Sequence, residues 1–304
     1  MKLRIDAPSG FSFRRTVYSH GWFALPPFSA GEKGETLAVT IALPEGGAAR
    51  IVLRPDGDAV ALEVPGRPAA ADARHLARAA RRILNLDLDL SEFHRAMAAE
   101  EGFRWIAETG SGRLLRSASG LEDLVKLVLT TNCSWALTTR MVGTLVNLYG
   151  EEAPGGSRSF PVSRTLAGLG ERVFRERVRT GYRAPLLAEL SRRVARGEVD
   201  PEGWDRDPRE PAEIRKEMMS LPGVGPYVAE NLLKMLGRPH GLGLDSWMRS
   251  KYASLHHGGR TVTDRTIARR YVRFGPWAPL ALWLELTRDP LTGDDPDAAW
   301  ESLA

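Results

Sequence analysis

A chain of 304 residues fits one large or two ordinary domains, and its 43% apolar and 26% charged residues are those of a soluble globular protein. The single cysteine, Cys133, excludes an internal disulfide and the several thiolates of a zinc ribbon or an iron–sulfur cluster. A formal net charge of +4 excludes little, so the placement of charge matters more than its sum.

The first 65 or so residues read as β-rich. Residues 36–43, 48–53 and 59–64 alternate like strands, with Gly46-Gly47 as a turn signal between the first two. From 69 to 84 Ala, Leu and Arg recur at helical spacing, and nearly everything after that is helical in pattern. Ser119-Gly-Leu-Glu122 has the form of a capping box before an apolar helix stripe. Asn132 or Ser134 then caps a helix that stops at Gly150. Residues 151–163 and 201–211 read as loops, and 184–196 and 212–220 as helices. The expectation is α+β: a small antiparallel-sheet domain over residues 1–87, then a larger all-α domain over 88–304.

Leu221-Pro-Gly-Val-Gly-Pro-Tyr227 lies between two helical patterns. Pro222 stops the first, Gly223 and Gly225 permit backbone angles closed to other residues, and Pro226 suits a first helical turn. Such a hairpin offers unpaired N–H groups and a positive helix end to an anion such as a DNA phosphate. Two arginine-rich stretches would suit the same partner. One holds Arg172, Arg175, Arg177, Arg179 and Arg183; the other holds Arg249, Lys251, Arg260, Arg265, Arg269, Arg270 and Arg273. Solvated helix faces account for them equally well. The run 277–286 is too short and too interrupted to span a bilayer, and no signal-like segment opens the chain, so a cytoplasmic location is expected.

The hairpin followed by Gly241-Leu-Gly-Leu-Asp245 resembles the helix-hairpin-helix, Gly/Pro-rich-loop, aspartate signature of a superfamily of base-excision DNA glycosylases. The superfamily includes endonuclease III, the adenine glycosylase acting opposite oxidised guanine, 3-methyladenine glycosylase II and 8-oxoguanine glycosylase. The resemblance extends to the 8-oxoguanine branch at Leu3-Arg-Ile-Asp6 with Ser9-Gly-Phe-Ser-Phe-Arg14, at Gly112-Arg-Leu-Leu-Arg116 and at Gly181-Tyr-Arg-Ala184.

By that resemblance the catalytic carboxylate is Asp245, whose plainer role is a helix N-cap. Leu221, Gly223, Val224 and Gly225 would hold the DNA backbone with Arg249, and the carbonyls of Met219, Leu221 and Val224 a monovalent cation. Asn132, Tyr182 and Arg183 would fill the gap left by an extruded base; a cap and a loop aromatic are the alternatives. Strand-nicking members carry a lysine where this chain has Tyr227, so a monofunctional enzyme without an organic or iron–sulfur cofactor is expected, with Lys234 further along the same helix the first suspect should an imine form.

For the base, Gly10 keeps the carbonyl that reads oxidised guanine, beside Phe11. Pro279 replaces the glutamine that reads the base edge, Trp283 the stacking phenylalanine, and Leu137 an arginine that reads the opposite cytosine. Tyr227 and Trp277 resemble aromatic positions of the 3-methyladenine branch, and with Trp283 and Trp247 they would attract a cationic alkylated purine. The expected partner is duplex DNA with a damaged base, bound by a monomer, with an alkylated purine slightly preferred over oxidised guanine. An unusual or bulky modified base and a non-catalytic DNA-binding module remain alternatives.

Overall fold

The computed structural model describes residues 1–289; residues 290–304 of the expected helical domain lie outside that range. Strands β1 (Lys2–Asp6), β2 (Phe28–Ala30), β3 (Leu37–Ala42), β4 (Ala48–Asp56) and β5 (Ala59–Glu63) form one antiparallel sheet in the order β1-β5-β4-β3-β2. Register follows the alternation: Val39 pairs with Ile51 and Leu37 with Leu53, all buried, while Arg54 faces out. The Gly46-Gly47 turn closes β3 onto β4, with the Leu43 N–H donating to the Gly47 carbonyl at 2.9 Å. A short helix α1 (Phe13–Val17) and a 3₁₀ turn (Gly21–Ala24) lie between β1 and β2.

Helix α2 (Ala70–Ile83) lays Leu76, Ala79, Ala80 and Ile83 into the core. Then follow α3 (Ser91–Ala98), α4 (Arg104–Glu108), α5 (Gly120–Thr130), α6 (Trp135–Tyr149), α7 (Ser163–Gly168), α8 (Glu171–Val173) and α9 (Ala184–Ala195). The chain continues through α10 (Pro211–Met218), α11 (Pro226–Met235), α12 (Ser246–His257), α13 (Asp264–Tyr271) and α14 (Ala278–Leu286). The α+β expectation is met, and the buried apolar residues of sheet and helices form one continuous core. Among the described residues no helix is long and apolar enough to cross a membrane.

Helix α5 is buried on every side, including Glu122, Asp123 and Lys126. Ser119 caps it, accepting from the Glu122 N–H at 3.1 Å. Glu122 does not complete a capping box, because its carboxylate turns inward to the Lys126 ammonium at 2.6 Å. Asp123 accepts from the Trp22 indole N–H at 3.0 Å and the Ser117 N–H at 2.7 Å, tying the N-terminal segment to the helical part. Of the two candidate caps for α6, Ser134 takes the role, and Asn132 adopts a left-handed backbone with φ 47°.

Candidate active site

Helices α10 and α11 flank the expected hairpin. Leu221 and Val224 bury their side chains beneath it, while Gly225 is exposed. Gly223 turns at φ +80°, a backbone conformation in which any side chain would be strained. Gly225 precedes Pro226 at the start of α11 and offers no side-chain cap, which leaves the first-turn N–H groups open to a ligand.

The loop after α11 is fastened to that helix from below. The Gly243 N–H donates to Glu230 Oε2 at 2.7 Å, and Glu230 is paired with Arg215 at 2.6 Å. Asn231 donates its amide to the carbonyls of Tyr227 (2.8 Å) and Gly243 (3.0 Å). This clamp brings Asp245 to the N-cap of α12, where Oδ1 accepts from the Met248 N–H at 2.7 Å. Among the described residues Oδ2 makes no hydrogen bond. The cap and the candidate catalytic group are therefore the same side chain, held by one oxygen with the other available.

Asp245 lines a cleft of about 910 Å³ between α5, α6, α11, α12, α14 and the N-terminal segment. Of the sequence candidates, Tyr227, Trp283, Trp247, Asn132 and Arg249 also line it. Trp283 donates its indole N–H to the Ser19 carbonyl at 2.9 Å and stands 5.9 Å from Trp247. Tyr227 reaches Thr130 at 3.5 Å, and burial, reinforced by the charge of Asp245, pushes its phenol up to about 12.

Three candidates lie elsewhere. Gly10 and Phe11 line a separate hollow of about 240 Å³, and Trp277 packs its ring 5.4 Å from Phe93. Pro279 is buried in the first turn of α14, and Leu137 is half-buried outside the cleft. At the rim, Tyr182 is 54% exposed and its hydroxyl accepts from Asn132 Nδ2 at 3.1 Å. Arg183 is buried beneath it. The Arg183 guanidinium donates to the hydroxyl and carbonyl of Thr131 and to the Thr180 carbonyl, so it supports the rim from inside.

Three further cleft residues, His20, Trp22 and Trp135, carried no sequence signal for the site. Trp22 and His20 come from the N-terminal segment, and Trp135 lies against Gly21, where even a Cβ would sit 2.6 Å from its ring. His20 Nε2–H donates to the Leu115 carbonyl at 2.7 Å, which fixes Nε2 as a protonated nitrogen of the ring. Lys234, two turns along α11 from Tyr227, is 4% exposed. Its Nζ donates to Asn231 Oδ1 at 3.0 Å and stands 5.6 Å from the centre of the Trp283 ring. Burial brings its ammonium down to about 8, against the opposing charges of Asp245 and Glu230.

Many of the clustered arginines are paired. Arg249 is held by Asp264 at 2.7 and 2.9 Å, Arg270 by Glu285 at 2.8 Å, and Arg172 by Glu176 at 3.0 Å. Arg175 pairs with Glu171, and Arg273 with Glu100 at 3.4 Å. Among the described residues Arg177, Arg179, Arg260, Arg265 and Arg269 make no ion pair with a carboxylate. These are the cations most available to a polyanion.

No family model matches the chain. Among proteins of known sequence, a probable N-glycosylase/DNA lyase of Methanothermobacter thermautotrophicus is 24% identical over 239 residues, 69% of this chain and 74% of that protein. Among solved structures, the 3-methyladenine DNA-glycosylase of Archaeoglobus fulgidus superposes with a TM-score of 0.72 at 21% identity, over 93% of this chain and 98% of that one. The Clostridium acetobutylicum 8-oxoguanine glycosylase/lyase, in complex with double-stranded DNA containing cytosine opposite 8-oxoguanine, gives 0.68 at 17% identity, over 95% and 98%. With the hairpin, the clamped loop and its aspartate in place, this chain has the helix-hairpin-helix DNA glycosylase fold.

Proposed function

We infer that this protein is a DNA base glycosylase that hydrolyses the N-glycosidic bond of an extruded, damaged base and leaves the strand uncut. The observation that carries the reading is Asp245: one oxygen tied by the α12 cap, the other free at the wall of a cleft large enough for a base. Breaking the bond builds positive charge on the sugar, and a fixed carboxylate beside it stabilises that charge and orients a water. The hairpin's N–H groups grip a backbone phosphate, while Asn132 and Tyr182 at the rim enter the space the base vacates. The hairpin donor set is made of neutral main-chain oxygens, and the Leu221 carbonyl, which accepts from the Val224 N–H at 3.2 Å, keeps a lone pair. Together with the carbonyls of Met219 and Val224 it fits a monovalent cation, which when bound would screen a DNA phosphate.

Asp245→Asn tests the central role cleanly, because asparagine caps helices as well as aspartate does. Excision should fall on the order of 10²–10³-fold or more, with melting temperature and DNA binding unchanged. Retained turnover would remove Asp245 from catalysis. Absence of excision by the unaltered protein, across oxidised, alkylated and deaminated bases, would favour a DNA-binding module.

Hydrolysis without strand cleavage rests on Tyr227, since a phenol forms no imine with the sugar. The archaeal relative's name couples glycosylase with lyase, so the point needs its own experiment. Lys234 is the one lysine among the described residues lining the cleft. Borohydride treatment during turnover should trap no covalent DNA adduct; an adduct that disappears in Lys234→Met would assign lyase chemistry to that amine. As to the base, Trp22, Trp247 and Trp283 support an alkylated purine. Trp277, away from the cleft, withdraws one ring from that support, and the Lys234 ammonium opposes it.

A further inference from the structure

Lys234 is a nearly fully buried cation on the wall of a cavity, and it is underpaired. Among the described residues its ammonium makes a single hydrogen bond, to Asn231 Oδ1, and no ion pair. Asn231 cannot rotate to offer more: its amide nitrogen is spent on the carbonyls of Tyr227 and Gly243, which aims Oδ1 at the lysine. One N–H of Lys234 is thus fixed and two remain for a ligand. A desolvated ammonium without acceptors is unfavourable, so the arrangement calls for an acceptor supplied from the cleft.

Lys234 and Asp245 line the same cleft. Lys234 stands two turns along α11 from Tyr227, a rise of about 10 Å, so the two side chains meet a bound base at different points. A base inserted with its sugar beside Asp245 would find Lys234 on the cleft wall. The face of Trp283 is already within 5.6 Å of that ammonium, so the aromatic wall that would welcome a cationic base is serving a resident cation.

We propose that Lys234 is the specificity-determining residue of the cleft, donating to a carbonyl oxygen of an uncharged base and repelling bases with a fixed positive charge. The substrate class is therefore a neutral, carbonyl-bearing damaged base, oxidised or deaminated, rather than a cationic N-alkylpurine. This rests on the glycosylase reading and narrows it. At neutral pH the group is charged, since burial leaves its ammonium at about 8. Asp245 and Glu230 act to keep the proton on, and His20 on the N-terminal segment is neutral.

The test is single-turnover excision by the full chain from duplexes carrying one base each: 8-oxoguanine, uracil, hypoxanthine, N7-methylguanine or N3-methyladenine. The wild type should release at least one of the first three tenfold or more faster than either methylated cation. Lys234→Met, similar in length and uncharged, should lose at least tenfold on that base and narrow or reverse the ratio, while melting no lower than wild type. Lys234→Gln, which keeps a donor, should recover part of the loss. A wild type that prefers the cations, or a Lys234→Met protein with an unchanged profile, overturns the assignment while leaving the glycosylase reading intact. Release of no base from any duplex overturns both.

Discussion

At the scale of the residue, the site depends on small groups holding large ones. Gly243 sits at φ +62°, and a Cβ there would lie 2.7 Å from the Asn231 amide that clamps the loop. Gly243→Ala should cost about 1–3 kcal/mol in stability, the usual penalty for a side chain held in the left-handed region. Its effect on excision should be larger, on the order of 10²-fold, because displacing Asn231 also displaces Asp245 from the sugar. Thermal melting and single-turnover rates on the same preparation separate the two; equal loss in both would show that Asn231 does not set the position of Asp245. Asp245 was legible in the sequence because its distance from a Gly-rich hairpin is a pattern in the chain itself. Asn231 was not. Lys234 stood out in the sequence only as an amine on the same helix as Tyr227; that α11 turns it inward, buried against Trp283, only the fold shows. Trp277 errs in the opposite direction: its neighbours match an aromatic-pocket motif, yet it lies outside the cleft, packed against Phe93.

At the scale of the element, α5 carries the most buried charge in the helical part. Its cap was readable from Ser119, but the glutamate three residues on does not reach back to the N-cap, because Lys126 offers a better partner inside. Lys126 also stands 4.8 Å from the ring centre of Phe28, at the sheet. Removing one member of such a buried pair strands the other. Lys126→Met should destabilise the protein by about 3–5 kcal/mol in urea unfolding at neutral pH. Burial already pushes the Glu122 carboxyl above the ordinary carboxylate range, so the stranded group should take up a proton and part of the loss should return on mild acidification. Replacing both, as Glu122→Leu with Lys126→Met, should recover most of the stability. A single substitution as harmless as the double would mean that the pair is not closed in solution. Helix spacing could not reveal this pair, because i and i+4 charges on a sequence look alike whether they face solvent or core.

At the scale of the whole molecule, the sheet and the helices share one core, and the segment after β1 supplies a wall of the cleft. The strands were legible from their alternation and turn glycines, and the helices from apolar spacing. That residues 20–24 would reach the site was not, since nothing local marks a contact made across about a hundred residues. His20 is the hinge of that contact: it binds the Leu115 carbonyl and packs edge-on to Trp22 at 4.9 Å. Burial lowers its imidazole to about 4, only partly offset by the Leu115 carbonyl and by Asp123. The unfolded chain takes up this proton near pH 6.5, while the folded protein resists it until about pH 4. Above 6.5 the folded state therefore keeps the whole of this contribution; as pH falls through the window it is lost, and below about 4 no more is lost. The full loss is about 3 kcal/mol, from the shift at 1.36 kcal/mol per unit. Urea unfolding of wild type and His20→Gln at pH 7 and pH 4.5 isolates it, since the other titrating groups are common to both. Wild type should lose more stability than the variant across that interval, and DNA excision should fall with it as the Trp22 wall loosens. Parallel curves for the two proteins would mean that His20 is solvated, and that the N-terminal segment does not close the cleft.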